Sequence, residues 1–265
     1  MVLTPLAESM VKPVGDVLRQ MEATITARPQ FDPATSTRKF TMLSSDYVTA
    51  VFLPRVLQVM KRRAPGITFE IRPMSDRAME ELDSDNEDIV IIPDAYASDM
   101  HPKQFLFDET YACIAWAGNR LVRSRISLEQ YTSLGHVVVR IGITHPASFE
   151  EWFLNRLGYK RRIEVIAPTF EAVPHFIEGT DRIATVHTRL AAVYRKYLPI
   201  KVVPVPIRIP TMAVVCQWHE SHDTDPGHIW VRGVLRGVAK GLGRAGSQPR
   251  VDNGKRASAR RRRGR

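Results

Sequence analysis

The densest run of groups able to hold a metal or move a proton is His219-Glu-Ser-His222-Asp-Thr-Asp225-Pro-Gly-His228. Metal binding needs such donors to converge from fixed positions. Asp225 followed by Pro226, however, is a helix start, with the carboxylate as N-cap and the proline at the first helical position. The run therefore reads as a polar loop entering a helix, and no metal is expected. P-loop glycine spacing, His-Glu-x-x-His and Gly-x-Ser-x-Gly are all missing from the 265 residues, and no Rossmann glycine loop stands between a strand and a helix. No catalytic motif is visible and no cofactor is implied, so the chain is read as something other than an enzyme; an enzyme without a known motif is the weakest alternative. The remaining polar candidates are Ser45, Asp46 and Tyr47, then Asp94, Arg140, Gly142 and His187. Such groups suit orienting a small ligand, with Tyr47, Phe170 and Val173 as apolar walls. Each also has a plainer role. Ser45 suits a helix cap, Asp46 a first-turn acid on the helix dipole, His187 a structural histidine, and Arg140 a partner for Glu150 or Glu151.

What unites these candidates is their position on the elements that carry them. From residue 38 the chain alternates strand and helix: strand 39–44, helix 47–63, strand 67–72, helix 75–82 and strand 88–92. After an apolar run at 111–116 comes a second series: strand 136–140, helix 148–157, strand 162–166, helix 171–178, strand 182–186, helix 188–197 and strand 201–205. This pattern is that of parallel α/β units. A last strand, 212–218, and a helix from Asp225 to about 242 have no unit of their own, so they return to the first lobe. Two crossings follow, at 113–118 and 205–211, with a cleft between the lobes. In open α/β sheets ligands bind beyond the carboxyl ends of the strands, and that is where the polar candidates lie.

Ahead of the lobes, Thr4-Pro5 opens a helix in which Val11, Leu18 and Ile25 recur every seven residues, interleaved with Ala7, Val14 and Met21. This alternation is the seam of a two-stranded coiled coil, although Pro13 should bend the helix. Packing on its own domain would be the plainer reading. The stretch from Arg28 to Pro33 reads as a linker that detaches the helix, so a dimer is expected. Of the formal charge of +10, residues 243–265 hold +8, with nine Lys/Arg and one Asp. That tail lacks apolar residues and should be disordered; it suits sequence-blind contact with phosphate backbones. Cys113 and Cys216 sit in apolar runs and read as buried, reduced thiols. No apolar run reaches membrane-spanning length, and the N-terminus lacks a secretory pattern, so a cytoplasmic location is expected.

Several short motifs, taken in order, resemble one family. Leu3-Thr4-Pro5-Leu-Ala7-Glu8 is similar to the junction where a LysR-type transcriptional regulator leaves its winged helix-turn-helix and enters its linker helix. Phe31-Asp-Pro-Ala-Thr35, Ser45-Asp46-Tyr47 and Leu53-Pro54-Arg55 resemble the start of its effector-binding domain. Ser148-Phe-Glu-Glu-Trp-Phe153, Arg161-Arg-Ile-Glu-Val165, Gly179-Thr-Asp-Arg-Ile-Ala-Thr185 and Asp225-Pro-Gly-His-Ile-Trp230 are similar to the NodD-like, nodulation-regulator branch. The resemblance implies an α/β, type 2 periplasmic-binding-protein-like fold, with two subdomains joined by two crossing strands behind a long linker helix. The expected divisions are 1–30 for the linker helix and linker, 38–115 plus 208–242 for the first subdomain, 116–207 for the second, and 243–265 for the basic tail. It also implies a small aromatic co-inducer, a homo-oligomer and action as an activator on DNA. Residues 1–265 contain no helix-turn-helix pattern, so DNA contact is expected only through the tail or through a domain preceding this sequence. The alternative is a free-standing binding protein, or a partner that poisons full-length regulators.

Overall fold

A computed structural model of the chain describes residues 4–26, 31–84, 87–142 and 147–242. The basic tail, part of the 28–33 linker and the side chain of Ile25 lie outside the described residues. The first helix, α1 (Pro5–Thr26), starts as its sequence requires: Thr4 Oγ1 accepts the Ala7 N–H at 3.2 Å, and Pro5 occupies the first helical position. It runs through Pro13. Val11, Val14, Leu18 and Met21 are each between 47% and 59% exposed, so the apolar row is uncovered in a single chain.

The first lobe follows: β1 (Lys39–Ser44), α2 (Asp46–Val51), α3 (Leu53–Arg63), β2 (Thr68–Pro73), α4 (Ala78–Asp83), β3 (Ile89–Pro93) and β4 (Lys103–Glu109). The single helix expected over 47–63 is two. Pro54 has no N–H to return to Ala50, and the helix breaks at Phe52. The second lobe comprises β5 (Tyr111–Trp116), α5 (Leu128–Ser133), β6 (Gly135–Val139), α6 (Phe149–Arg156), β7 (Arg162–Ala167), α7 (Val173–Ile177), β8 (Ile183–His187), α8 (Thr188–Tyr194) and β9 (Ile200–Val203). The chain then returns as β10 (Met212–Gln217) and α9 (Pro226–Lys240).

Two five-stranded sheets result, ordered β2-β1-β3-β10-β4 and β7-β6-β8-β5-β9. They share one plan. Three strands run parallel, and the strand that has just crossed from the other lobe, β10 or β5, pairs antiparallel with both its neighbours. This corrects the first crossing. It is not at 113–118, because β5 already belongs to the second sheet; Thr110 alone separates it from β4. The sequence reading also lacked β4 and α5. The apolar interior is continuous through both lobes, from Phe40 and Ile91 in the first sheet to Ile114 and Val186 in the second. Cys113 and Cys216 are free and buried, and burial pushes both thiols up to about 12. Among the described residues no helix is long and apolar enough to cross a membrane.

Candidate functional site

The strand ends of the two sheets face each other across a cavity of about 340 Å³. Ser45 and Tyr47 reach it because Ser45 caps α2, its Oγ accepting the Val48 N–H at 3.4 Å, which turns the chain at the end of β1. Opposite, β8 ends in His187, whose ring lies 3.7 Å from the Tyr47 ring at an interplanar angle of 17°. Phe170 meets the same imidazole edge-on at 4.6 Å, and Tyr111 lies 5.3 Å from it. Phe149, at the start of α6, stacks against Tyr111 with centroids 6.3 Å apart. Offset and edge contacts of this kind are the favoured aromatic arrangements. Met74, Met79 and Met212 supply adaptable apolar wall.

The polar groups of the cavity are few and carry no fixed positive charge. Among the described lining residues there is no lysine or arginine. Desolvation pushes His187 down to about 3, so its ring is neutral, and its Nδ1 has no hydrogen-bond partner among the described residues. Burial pushes Glu150 up to about 7 against the pull of Arg161, whose Nη1 is 3.0 Å away. Ser148 Oγ donates to Glu150 at 3.2 Å. The remaining acid in the wall, Asp76, sits where Gly142 of the other lobe approaches. Gly142 has φ +83°, a dihedral that favours glycine, and a Cβ there would fall 1.7 Å from Asp76 Oδ1, so a larger residue would also have to displace that carboxylate.

The LysR substrate binding domain pattern matches residues 34–240. The chain is 37% identical over 249 residues to nodulation protein D of Bradyrhizobium sp. (strain ANU 289), covering 94% of this chain and 74% of that protein. This chain belongs to the LysR family. Two solved structures carry the fold at low identity. One is the probable transcriptional regulator PA0477 from Pseudomonas aeruginosa, with TM-score 0.72, 22% identity, and 88% and 79% of the two chains covered. The other is full-length CbnR complexed with its target DNA, with TM-score 0.62, 12% identity, and 89% and 80% covered. The relatives of this LysR regulator are NodD proteins and transcriptional regulators, not enzymes.

Within the LysR fold, four residues expected at the site line the cavity: Ser45, Tyr47, Phe170 and His187. The others stand elsewhere. Arg140 is turned to Glu151, with Nη2–Oε1 at 2.7 Å and Nε–Oε2 at 3.3 Å, and takes no place in the wall. Asp94 is paired with Lys103 at 2.8 Å outside the wall. Val173 is fully buried in the interior. Asp46 ties the lobes together instead, its Oδ2 accepting the Glu171 N–H at 2.8 Å; burial raises its carboxyl above the ordinary value despite that bond. Tyr111, Phe149 and Glu150 were missed as lining groups, although strand-opening Tyr111 and first-turn Phe149 and Glu150 face the same cleft as the strand ends.

The metal-like run behaves as a helix entry. Asp225 Oδ1 accepts the N–H groups of Gly227 at 2.8 Å and His228 at 3.2 Å. Asp88, His222 and His228 do gather possible ligand atoms within 4.8 Å of one another. Both nitrogens of His228 are engaged, however. Nε2 lies 2.9 Å from the Asp88 carbonyl oxygen, and Nδ1 lies 2.9 Å from Nη1 of the cationic Arg232.

Proposed function

We infer that this chain is the effector-sensing and oligomerising region of a NodD-like LysR transcriptional regulator, and that its effector is a small, neutral, hydroxylated aromatic molecule held between the lobes. The observation that carries this reading is the cavity wall: aromatic rings around an unprotonated His187, methionines, two carboxyl-bearing residues and no lysine or arginine among the described residues. A carboxylate ligand would be desolvated there without a counter-charge, a cost of several kcal/mol by order of magnitude. A phenolic hydroxyl can donate to Glu150 or His187 instead. The similarity to nodulation protein D supports the same branch of regulators. Regulation of transcription places the protein's work in the cytoplasm on DNA, as a dimer or larger assembly built partly on the uncovered row of α1.

The test is a thermal-shift screen comparing the neutral flavone luteolin with salicylate and benzoate. Saturation at about 100 times Kd adds roughly 2.7 kcal/mol of stability, so luteolin should raise the melting temperature by several degrees while the anions leave it unchanged. Stabilisation by salicylate alone would overturn the charge argument.

A further inference from the structure

The first crossing between lobes is a single residue, and the acid immediately before it is fully buried. Glu109 closes β4 with both carboxylate oxygens occupied. Oε1 accepts the N–H of Thr110, the crossing residue, at 2.9 Å. Oε2 accepts the Tyr47 hydroxyl at 2.5 Å and the Arg189 Nη1–H at 3.1 Å. Tyr47 belongs to the first lobe and lines the cavity, while Arg189 belongs to the second. The guanidinium also donates to the Asp108 carbonyl at 2.6 Å and lies 5.4 Å over the Phe107 ring.

On the second-lobe side, three consecutive residues make the corresponding contacts. His187 stacks on Tyr47, Thr188 bonds Thr110 twice (N–H to carbonyl at 2.8 Å, hydroxyl to hydroxyl at 2.9 Å), and Arg189 meets Glu109. A rotation of one lobe against the other about Thr110 must move this run relative to Tyr47 and Glu109 together. Separating Arg189 from Glu109 would leave a fully buried carboxylate without the cation that faces it, which opposes opening.

We propose that Glu109 is a positioning residue that couples occupancy of the cavity to the angle between the lobes, through Tyr47 on the cavity side and Arg189 on the crossing side. A ligand that fixes the Tyr47–His187 stack fixes the two groups whose neighbours hold the crossing. An empty cavity leaves the angle to the protein's own contacts, the Glu109–Arg189 pair and the Asp46–Glu171 bond among them. The ligand half rests on the effector reading above; the pair's control of the angle does not.

The experiment separates the two. Met100, 85% exposed in the first lobe, and Tyr197, 78% exposed in the second, accept cysteine for spin labels, and the native thiols Cys113 and Cys216 are buried. Without ligand, the label-to-label distance distribution should be narrow in the otherwise native protein. It should be broader by about twofold or more in E109Q, which keeps the shape and an acceptor for Tyr47 but loses the charge. R189Q, which removes the cation at a partly exposed position, should broaden it as well and serves if E109Q does not fold. Distributions superimposable on the native one in the folded variants would overturn the proposal whether or not any effector binds. With luteolin at a concentration that saturates each protein, Y47F should fail to narrow the distribution as the native protein does. Native-like narrowing in Y47F would overturn the cavity-side arm. Absence of any luteolin effect on the native protein would count against the effector reading and leave the ligand-free comparison to decide the role of Glu109.

Discussion

Three buried histidines hold neutral rings because desolvation outweighs every favourable contact: His136 at about 4, His187 at about 3 and His228 at about 4. Unfolded histidines protonate near pH 6.5. Between that value and about 4 the unfolded chain therefore holds more protons, and stability falls as pH falls through the window. Glu150 has the opposite sign. Its carboxyl, raised from 4.5 to about 7, makes the folded state hold the extra proton, so its contribution falls as pH rises through that interval. With three groups against one, the urea midpoint should drop on acidification from pH 7 to 4.5. H187F, which keeps a ring against Tyr47 and removes one titrating group, should drop less steeply; equal slopes in the two proteins would exclude His187 from the neutral set. At this scale the site was half legible. Strand-end position put Ser45, Tyr47, Phe170 and His187 near the cleft, but residue type does not say which way a side chain turns. Arg140 pairs with the buried carboxylate of Glu151, and Asp94 with Lys103. Those partners come from elements whose mutual placement only the fold fixes.

Elements were read more reliably where their periodicity is strong and their caps are explicit. Thr4-Pro5, Ser45 and Asp225-Pro226 all have the hydrogen-bonding chemistry of helix starts, and α1, α2 and α9 begin there. β4 escaped because its burial does not alternate: a register shift opposite Val214 and Val215 interrupts the pairing, and Phe105 is left 53% exposed. α5 escaped because six residues are too few to display a 3.6-residue period. For α1 the proposed consequence is association. A carboxylate introduced by L18E into a seam facing an identical helix would be desolvated without a partner, a cost of about 3 kcal/mol or more. Sedimentation velocity should then find a lighter species than the native protein at equal concentration. An unchanged mass would mean that the subunits meet through another surface.

At the scale of the whole chain, charge and topology act separately. Residues 1–242 carry a formal net charge of only +2, against +8 in 243–265. If the tail alone contacts phosphates, deleting 243–265 should abolish binding to duplex DNA of arbitrary sequence, and binding by the native chain should weaken steeply between about 50 and 200 mM salt. A footprint on one particular sequence, surviving the deletion, would refute that assignment. The sheet order has a further effect on how the molecule is made. Every strand of the second sheet lies between Tyr111 and Val203, in one uninterrupted stretch of chain, whereas the first sheet needs β10 to enter between β3 and β4. On the ribosome the second lobe can therefore close while the first still waits for residues 212–217. Until they arrive, β3 has a free edge and β4 lacks its neighbour in the sheet. A nascent chain released by a stop codon before Met212 would keep those edges open, as templates for pairing with other chains. Premature termination late in the gene would thus yield an insoluble product rather than a smaller working regulator.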